Sequence, residues 1–344
     1  MNHLLFCLGV FFLLLLLLLW GFRVLPGENW QFLAAVPRKH LTDGSWEGEN
    51  LTYYGLFQAM AHVIAVFFFL LLTASIKIPF VVSCLTVLIL MLFCLPASRI
   101  LARWIEKKPH NLTVSGAFFT GLLFAPLSIW GSYQLTLQEG LPPFAPLCGA
   151  MVIAYAFGEG IGRLACISFG CCYGKPMGSP CAAWGKRLGF VFRGKTKKIS
   201  YASGWDGLPV WPVQAYTAVL FVFSALVAVY CFLEGYYRFA FLFTLVITQL
   251  WRVISEFLRG DYRGGGNFSL YQVFSLLTIF LGIIFLPFMP QFTGHADLKM
   301  GLSALWNVPV VLFLEGWAVL IFWYTGRSRV TGAHVFMHVK QEKT

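Results

Sequence analysis

Long stretches without a single charged side chain constrain this chain more than any other feature. Residues 4–22, 50–76, 78–98, 109–138, 140–158, 207–233, 239–251, 264–296 and 300–314 contain no Asp, Glu, Lys or Arg. A helix needs about 20 apolar residues to cross the hydrocarbon core of a bilayer. The runs are continuously apolar and do not alternate, which excludes a β-barrel. Only 11% of the 344 residues are charged and 58% are hydrophobic, against about 25% charged in an ordinary soluble domain. The expectation is an all-α polytopic membrane protein of eight or nine transmembrane helices with a small loop-rich extramembrane head.

The segments between the runs divide the chain. Residues 1–25 read as a signal-anchor helix: Leu13–Leu19 is unbroken leucine, the run ends at Arg23, and no small-x-small cleavage site precedes Pro26. Residues 26–49, with Pro26, Pro37 and Gly44, read as an extramembrane linker, and residues 50–292 as the membrane core. Within that core, residues 174–209 form the head. It carries Lys175, Lys186, Arg187, Arg193, Lys195, Lys197 and Lys198 against Asp206 alone, with Gly and Pro throughout. Residues 293–326 read as an additional C-terminal span and 327–344 as a basic tail. The net charge of +11 suits loops that face anionic lipid. Nucleic acid is not an expected partner, because no soluble domain is large enough to carry a basic binding face.

Several charges fall inside or at the ends of apolar sequence: Glu159, Arg163, Arg252, Glu256 and Glu315. Ionisable groups there are costly and mark function by default. Arg252 and Glu256 are four apart, so they can pair on one helix face, and Arg259 and Asp261 follow. Two readings stand. The pair locks two helices, or Glu256 orients Arg252 as a fork for the phosphate of an anionic lipid. Arg163 follows Glu159 by four residues, the same helical spacing. Beyond it come Cys166 and the adjacent Cys171 and Cys172. Lys175 and Arg163 would favour a thiolate there; the alternatives are small buried hydrophobes or disulfide partners. There is no Cys-x-x-Cys pair, no zinc-finger spacing and no histidine pair with a third ligand, so no metal is expected. Nor is any cofactor, since no phosphate-binding loop or dinucleotide fingerprint is present.

Five motifs in order resemble the prolipoprotein diacylglyceryl transferases of bacteria. Tyr53-Tyr54-Gly55-Leu56 is similar to the Trp-Tyr-Gly-Leu of that family. Gly162-Arg163-Leu164-Ala165-Cys166 through Gly174 resembles its Gly-Arg-x-Gly-Asn-Phe-x-Asn-x-Glu-x-x-Gly signature. Pro212-Val213-Gln214-Ala215-Tyr216 resembles its Pro-x-Gln-x-Tyr. The stretch Arg252 to Asp261 resembles its Arg-Phe-x-x-Glu-Phe-Phe-Arg-x-x-Asp, and Ser269-Leu270-Tyr271-Gln272 its Ser-Met-Gly-Gln. There are departures. Ser115 stands where the family has the histidine of His-Gly-Gly, Cys166 and Cys171 stand for its Asn and Glu, and Trp211 for the histidine before Pro-x-Gln-x-Tyr.

The resemblance implies transfer of the diacylglyceryl group of phosphatidylglycerol to the lipobox cysteine in a prolipoprotein signal peptide, with release of glycerol phosphate. It implies a bacterial inner membrane location and no metal. Arg163 and Arg252 would hold the phosphate and Glu256 would orient Arg252. Cys171 would act as a thiolate base or covalent way-station, or be inert. Tyr54, Ser115, Cys166, Gly174, Gln214, Tyr216 and Arg259 would form the substrate site, with Gly174 permitting a tight turn. The alternatives are a related phospholipid-dependent transferase with another acceptor and an inactive lipid-binding protein. The resemblance puts the head outside the cytoplasm, whereas the distribution of Lys and Arg favours the opposite side.

Overall fold

A computed structural model describes residues 2–106, 114–178, 189–262 and 268–337. Among them, eight helices are long and apolar enough to cross a membrane. They are α1 (His3–Val24), α2 (Tyr53–Ser75), α3 (Phe80–Glu106), α5 (Phe144–Phe169), α7 (Val213–Leu233), α8 (Tyr237–Leu258), α9 (Leu270–Phe285) and α11 (Val308–Thr325). α4 (Val114–Leu135) is charge-free and packs along α3 and α9. The chain is therefore a mostly helical, multi-pass membrane protein. The apolar run from residue 300 onward breaks in two: a short α10 (Leu298–Leu305) precedes α11.

Local chemistry sets several helix starts. Asn2 caps α1 by accepting from the Leu4 amide, and Thr52 caps α2 by accepting from that of Gly55. Ser269 and Gln272 form a reciprocal capping box at the start of α9. The Ser-x-x-Gln motif thus has a structural role: it satisfies the first amides of α9, and Gln272 Nε2 also donates to the Val253 carbonyl of α8 at 3.0 Å.

α5 is the central helix, packed by α2, α7 and α8. Its face is made of small residues. Gly158 lies against Ala65 of α2, and Gly160 against Ala218 and Val222 of α7. In a bilayer, where lipid tails are as apolar as leucine, such close backbone approach supplies the dispersion contacts that hold helices together. Hydroxyl pairs add polar links, Ser83 to Thr73 at 2.9 Å and Thr86 to Ser132 at 2.7 Å.

One end of the bundle carries all the elaboration. Three strands, β1 (Phe32–His40), β2 (Trp46–Thr52) and β5 (Arg327–Val335), form an antiparallel sheet in the order β1-β2-β5. The segments read as linker and tail carry no sequence signal for it. β2 pairs with β5 from the far end of the chain, and β1 contains Pro37 beside a register irregularity, so no local alternation marks either strand. The head contributes a two-stranded ribbon, β3 (Phe190–Val191) and β4 (Pro209–Val210), and α6 (Lys198–Ser203). Lys186 and Arg187 lie outside the described residues. The head is stitched to the end of α1: the Arg193 amide donates to the Pro26 carbonyl at 3.1 Å, and Gln31 exchanges hydrogen bonds with Thr196.

Candidate functional site

The costly charges meet at this same end. Glu159 and Arg163 lie one turn apart on α5 and form an ion pair. From α8, Arg252 reaches across so that its Nη1 lies 3.0 Å from Glu159 Oε1 and donates to the Tyr155 hydroxyl at 3.0 Å. One buried carboxylate is thus shared by two buried guanidiniums, with side chains 8%, 11% and 10% exposed. The four-residue spacing places Arg252 and Glu256 on one face of α8. The packing of α8 on α5 also presents Arg252 Nη1 to Glu159, and Glu256 accepts from Ser269 Oγ at 3.4 Å.

Arg259, just beyond α8, is held by Asp261 in a bidentate pair with bonds of 2.8 and 2.7 Å. Burial works against its charge, but the combined attraction of Asp261, Cys172 and Glu256 and the hydrogen bonds to Asp261 keep the guanidinium pKa well above its ordinary value. A backbone bridge joins Arg259 to Gly174. The requirement for glycine at 174 is close approach rather than a turn: a Cβ there would sit 2.3 Å from the Trp211 carbonyl oxygen. Gly174 therefore lets the head strand lie flat between the ends of α7 and α8.

Arg163, Arg252, Arg259, Glu256, Gln214 and Cys172 line one polar pocket. Gln214, at the start of α7, donates to the Cys171 carbonyl at 2.9 Å. Its Oε1 is buried and has no partner among the described residues, and the same holds for the Nε–H of Arg163. Buried polar groups are ordinarily satisfied, and leaving one unpaired costs about 1–3 kcal/mol. Of the remaining expected residues, Tyr216 sets its ring edge-on to Trp251, which itself lines the pocket. Tyr54 packs against Phe169 beside the cysteines. Ser115 belongs to the first turn of α4, and its side chain lies outside the described residues.

The cysteines form a cluster that spacing did not predict. α5 ends at Gly170 in the left-handed conformation, and the returning chain bonds the Cys171 amide to the Cys166 carbonyl at 3.0 Å. Cys172 is also left-handed, at φ +57°, a costly geometry for a residue with a side chain. The Sγ atoms of Cys166, Cys171 and Cys172 all lie within 4.8 Å of one another, and all three thiols are free. Cys172, not Cys171, lines the pocket. Thiol hydrogen bonds with Cys166 and Cys172, together with burial, push Cys171 up; those to Cys172 from the other two, with Arg259 and Arg163 nearby, hold Cys172 well below the ordinary thiol value. Glu159 and Cys172 stand among the charges and thiols that the sequence singles out, whereas Tyr155, which accepts from Arg252 across the helix interface, carries no sequence signal.

A model of the prolipoprotein diacylglyceryl transferase family matches residues 46–288, which is 243 of the 344 residues. The chain belongs to this family. It is similar to the phosphatidylglycerol–prolipoprotein diacylglyceryl transferase of Clostridium tetani (strain Massachusetts / E88), at 35% identity over 140 residues, covering 39% of this chain and 49% of that one. It is also similar to the protein of the same name from Dehalococcoides mccartyi, at 26% identity over 213 residues, covering 53% of this chain and 76% of that one. The chain thus spans about half the length of the clostridial relative. α1, β1, α10, α11 and β5 fall outside the segment that defines the family.

Proposed function

We propose that this chain transfers the diacylglyceryl group of phosphatidylglycerol to the lipobox cysteine of a prolipoprotein, in a bacterial inner membrane. The observation that carries this is the pair of unsatisfied polar atoms in the arginine pocket. The Arg163 Nε–H needs an acceptor and Gln214 Oε1 needs a donor. A phosphoglycerol head group offers both, phosphate oxygens to the arginine and a glycerol hydroxyl to the glutamine. A simple hydrophobic ligand offers neither.

The chemistry follows from what the residues can hold. The acceptor thiol gives up its proton to solvent, its sulfur forms a bond to the terminal carbon of the diacylglyceryl group, the carbon–oxygen bond to phosphate breaks, and the electron pair leaves with glycerol phosphate. Negative charge grows on the departing phosphate, so guanidiniums fixed in advance in a low-dielectric site lower the barrier. Arg163 and Arg252 are fixed through Glu159, and Arg259 through Asp261. Glu256 steadies the start of α9, while Tyr54 and Tyr216 flank the approach. Incubating the purified protein with phosphatidylglycerol and a lipobox peptide is expected to release glycerol phosphate only when the peptide carries its cysteine. No peptide-dependent release sinks this reading. Release driven by a different acceptor instead identifies a related phospholipid-dependent transferase.

A further inference from the structure

We propose that Cys166, Cys171 and Cys172 bind a thiophilic divalent cation of the zinc type, whose open fourth position takes the thiol of the acceptor. The proposal deepens the transferase reading and rests on it. Three sulfurs around zinc, each at about 2.3 Å, stand about 3.8 Å apart in a tetrahedral arrangement. Here they already lie within 4.8 Å of one another, so rotation of the side chains closes the site. The backbone is prepared for this. The helix reversal at Gly170 brings Cys171 back to Cys166, the Gln214 side chain pins the Cys171 carbonyl, and Cys172 is held in a left-handed conformation that turns it to the pocket.

The electrostatics suit such a centre. Three thiolates and one divalent cation leave a single negative charge, and Arg163 and Arg259 line the pocket beside Cys172. Structural zinc sites are closed by four protein ligands, whereas reactive ones keep a position open. With three thiols and no fourth His, Cys, Asp or Glu in the cluster among the described residues, this site is of the open kind.

The step balances without an oxidant. The acceptor thiol coordinates the cation and loses its proton to solvent, because a metal-bound thiol is deprotonated outright. The bound sulfur then uses a lone pair to form the carbon–sulfur bond as the carbon–oxygen bond to phosphate breaks, and glycerol phosphate departs into the arginines. The thioether product is a neutral, weak ligand and leaves, which reopens the fourth position. Among the described residues no histidine lines the pocket, so the cation supplies the activation that a base would otherwise provide.

The test uses the full chain, purified in detergent under anaerobic, reducing conditions and loaded with zinc or cobalt. Elemental analysis is expected to find about one cation per chain, the content of a single three-thiolate site. Cys172→Ser and Cys171→Ser should lose it, and Cys231→Ser on α7 should keep it. The cobalt form should show thiolate-to-metal charge-transfer bands, and its visible bands should shift when a lipobox peptide with a free cysteine is added but not with the S-alkylated peptide. Chelation should abolish glycerol phosphate release and zinc should restore it. No bound cation, equal binding in the serine variants, a spectrum indifferent to the free thiol, or two of the three cysteines recovered as a disulfide would each overturn the proposal. Turnover that survives chelation also overturns it while leaving the transferase reading intact. A thiol-responsive cobalt spectrum without phosphatidylglycerol turnover upholds the coordination and removes the transferase reading instead.

Discussion

Glu159 lies between two buried guanidiniums, those of Arg163 and Arg252. Removing one member of a buried ion network leaves the others uncompensated, at a cost of about 3–5 kcal/mol. Glu159→Gln is therefore expected to be strongly destabilising, and to lower the unfolding temperature in detergent far more than Glu315→Gln, whose side chain is exposed. Equal effects of the two would show that the triad carries no such load. Half of the triad was legible: the i, i+4 spacing of Glu159 and Arg163 is a helix-face pair in any alignment of the chain with itself. The other half was not, because Arg252 lies 93 residues from Glu159 and has Glu256 as a nearer partner in sequence. Lys197 makes a second case. Its Nζ is fully buried and donates to the carbonyls of Leu25 and Ser168 at 2.9 and 2.8 Å. Burial depresses its pKa from 10.5 to about 8. Below pH 8 the amine is charged in both the folded and unfolded chain, and the folded state bears the full desolvation cost. Between about pH 8 and 10.5 only the unfolded chain keeps the proton, so stability from this residue rises with pH. A neutral amine still donates two hydrogen bonds, so both carbonyls stay paired. The stability difference between the wild type and Lys197→Met should move in favour of the wild type across that window; a flat difference would contradict the assigned burial.

Among the elements, the membrane helices were legible because burial in lipid imposes one rule on every residue of a span, and charge-free runs are its direct trace. The sheet was not, because nothing local distinguishes β5 from a basic tail. Its partner β2 lies at the other end of the chain, and the pairing exists only because α2 and α11 bring the two strands together. That packing depends on glycine at the helix ends. A Cβ on Gly55 would sit 2.1 Å from the Cα of Gly326, and the Thr52 amide and hydroxyl both donate to the Gly326 carbonyl, at 2.8 and 2.9 Å. Gly55→Leu should thus push the end of α11 off α2, break the β2–β5 register and expose residues 327–337 to protease while α5 and α8 stay packed. Protease resistance in that segment equal to the wild type would show that α11 can move without opening the sheet. The adjacent Cys171 and Cys172 were legible as a pair, but their return to Cys166 was not: a helix end that folds back on itself creates neighbours that neither a 3.6-residue period nor a metal-spacing rule describes.

At the scale of the whole molecule, the contacts assign loops to ends. Lys197 reaches the end of α1, β2 leads into α2, and Gly326 closes against Thr52, so the head, the sheet and the residues after α11 share one end. His3 meets Glu234, and the Asp297 amide donates to the Ser75 carbonyl at 2.8 Å, so the opposite end gathers the start of α1, the α7–α8 turn and the segment before α10. The arginine pocket opens at the basic end. Two forces then disagree about sidedness. Basic loops favour the cytoplasm, whereas an acceptor that arrives as a secreted precursor requires the pocket to face away from it, and a basic rim concentrates an anionic lipid at its mouth. The transferase reading commits to the second. Lys195 and Phe336 are exposed at the head end and Tyr236 at the other, with α7 crossing between Lys195 and Tyr236. In spheroplasts, a membrane-impermeant maleimide should label Lys195→Cys and Phe336→Cys above the background of the native cysteines, and Tyr236→Cys only after permeabilisation. If Lys195 and Phe336 segregate, the shared end is wrong. If all three are labelled in the opposite sense, the fold stands but the pocket faces the cytoplasm, where a secreted lipobox cysteine never arrives, and the acceptor must be a cytoplasmic thiol.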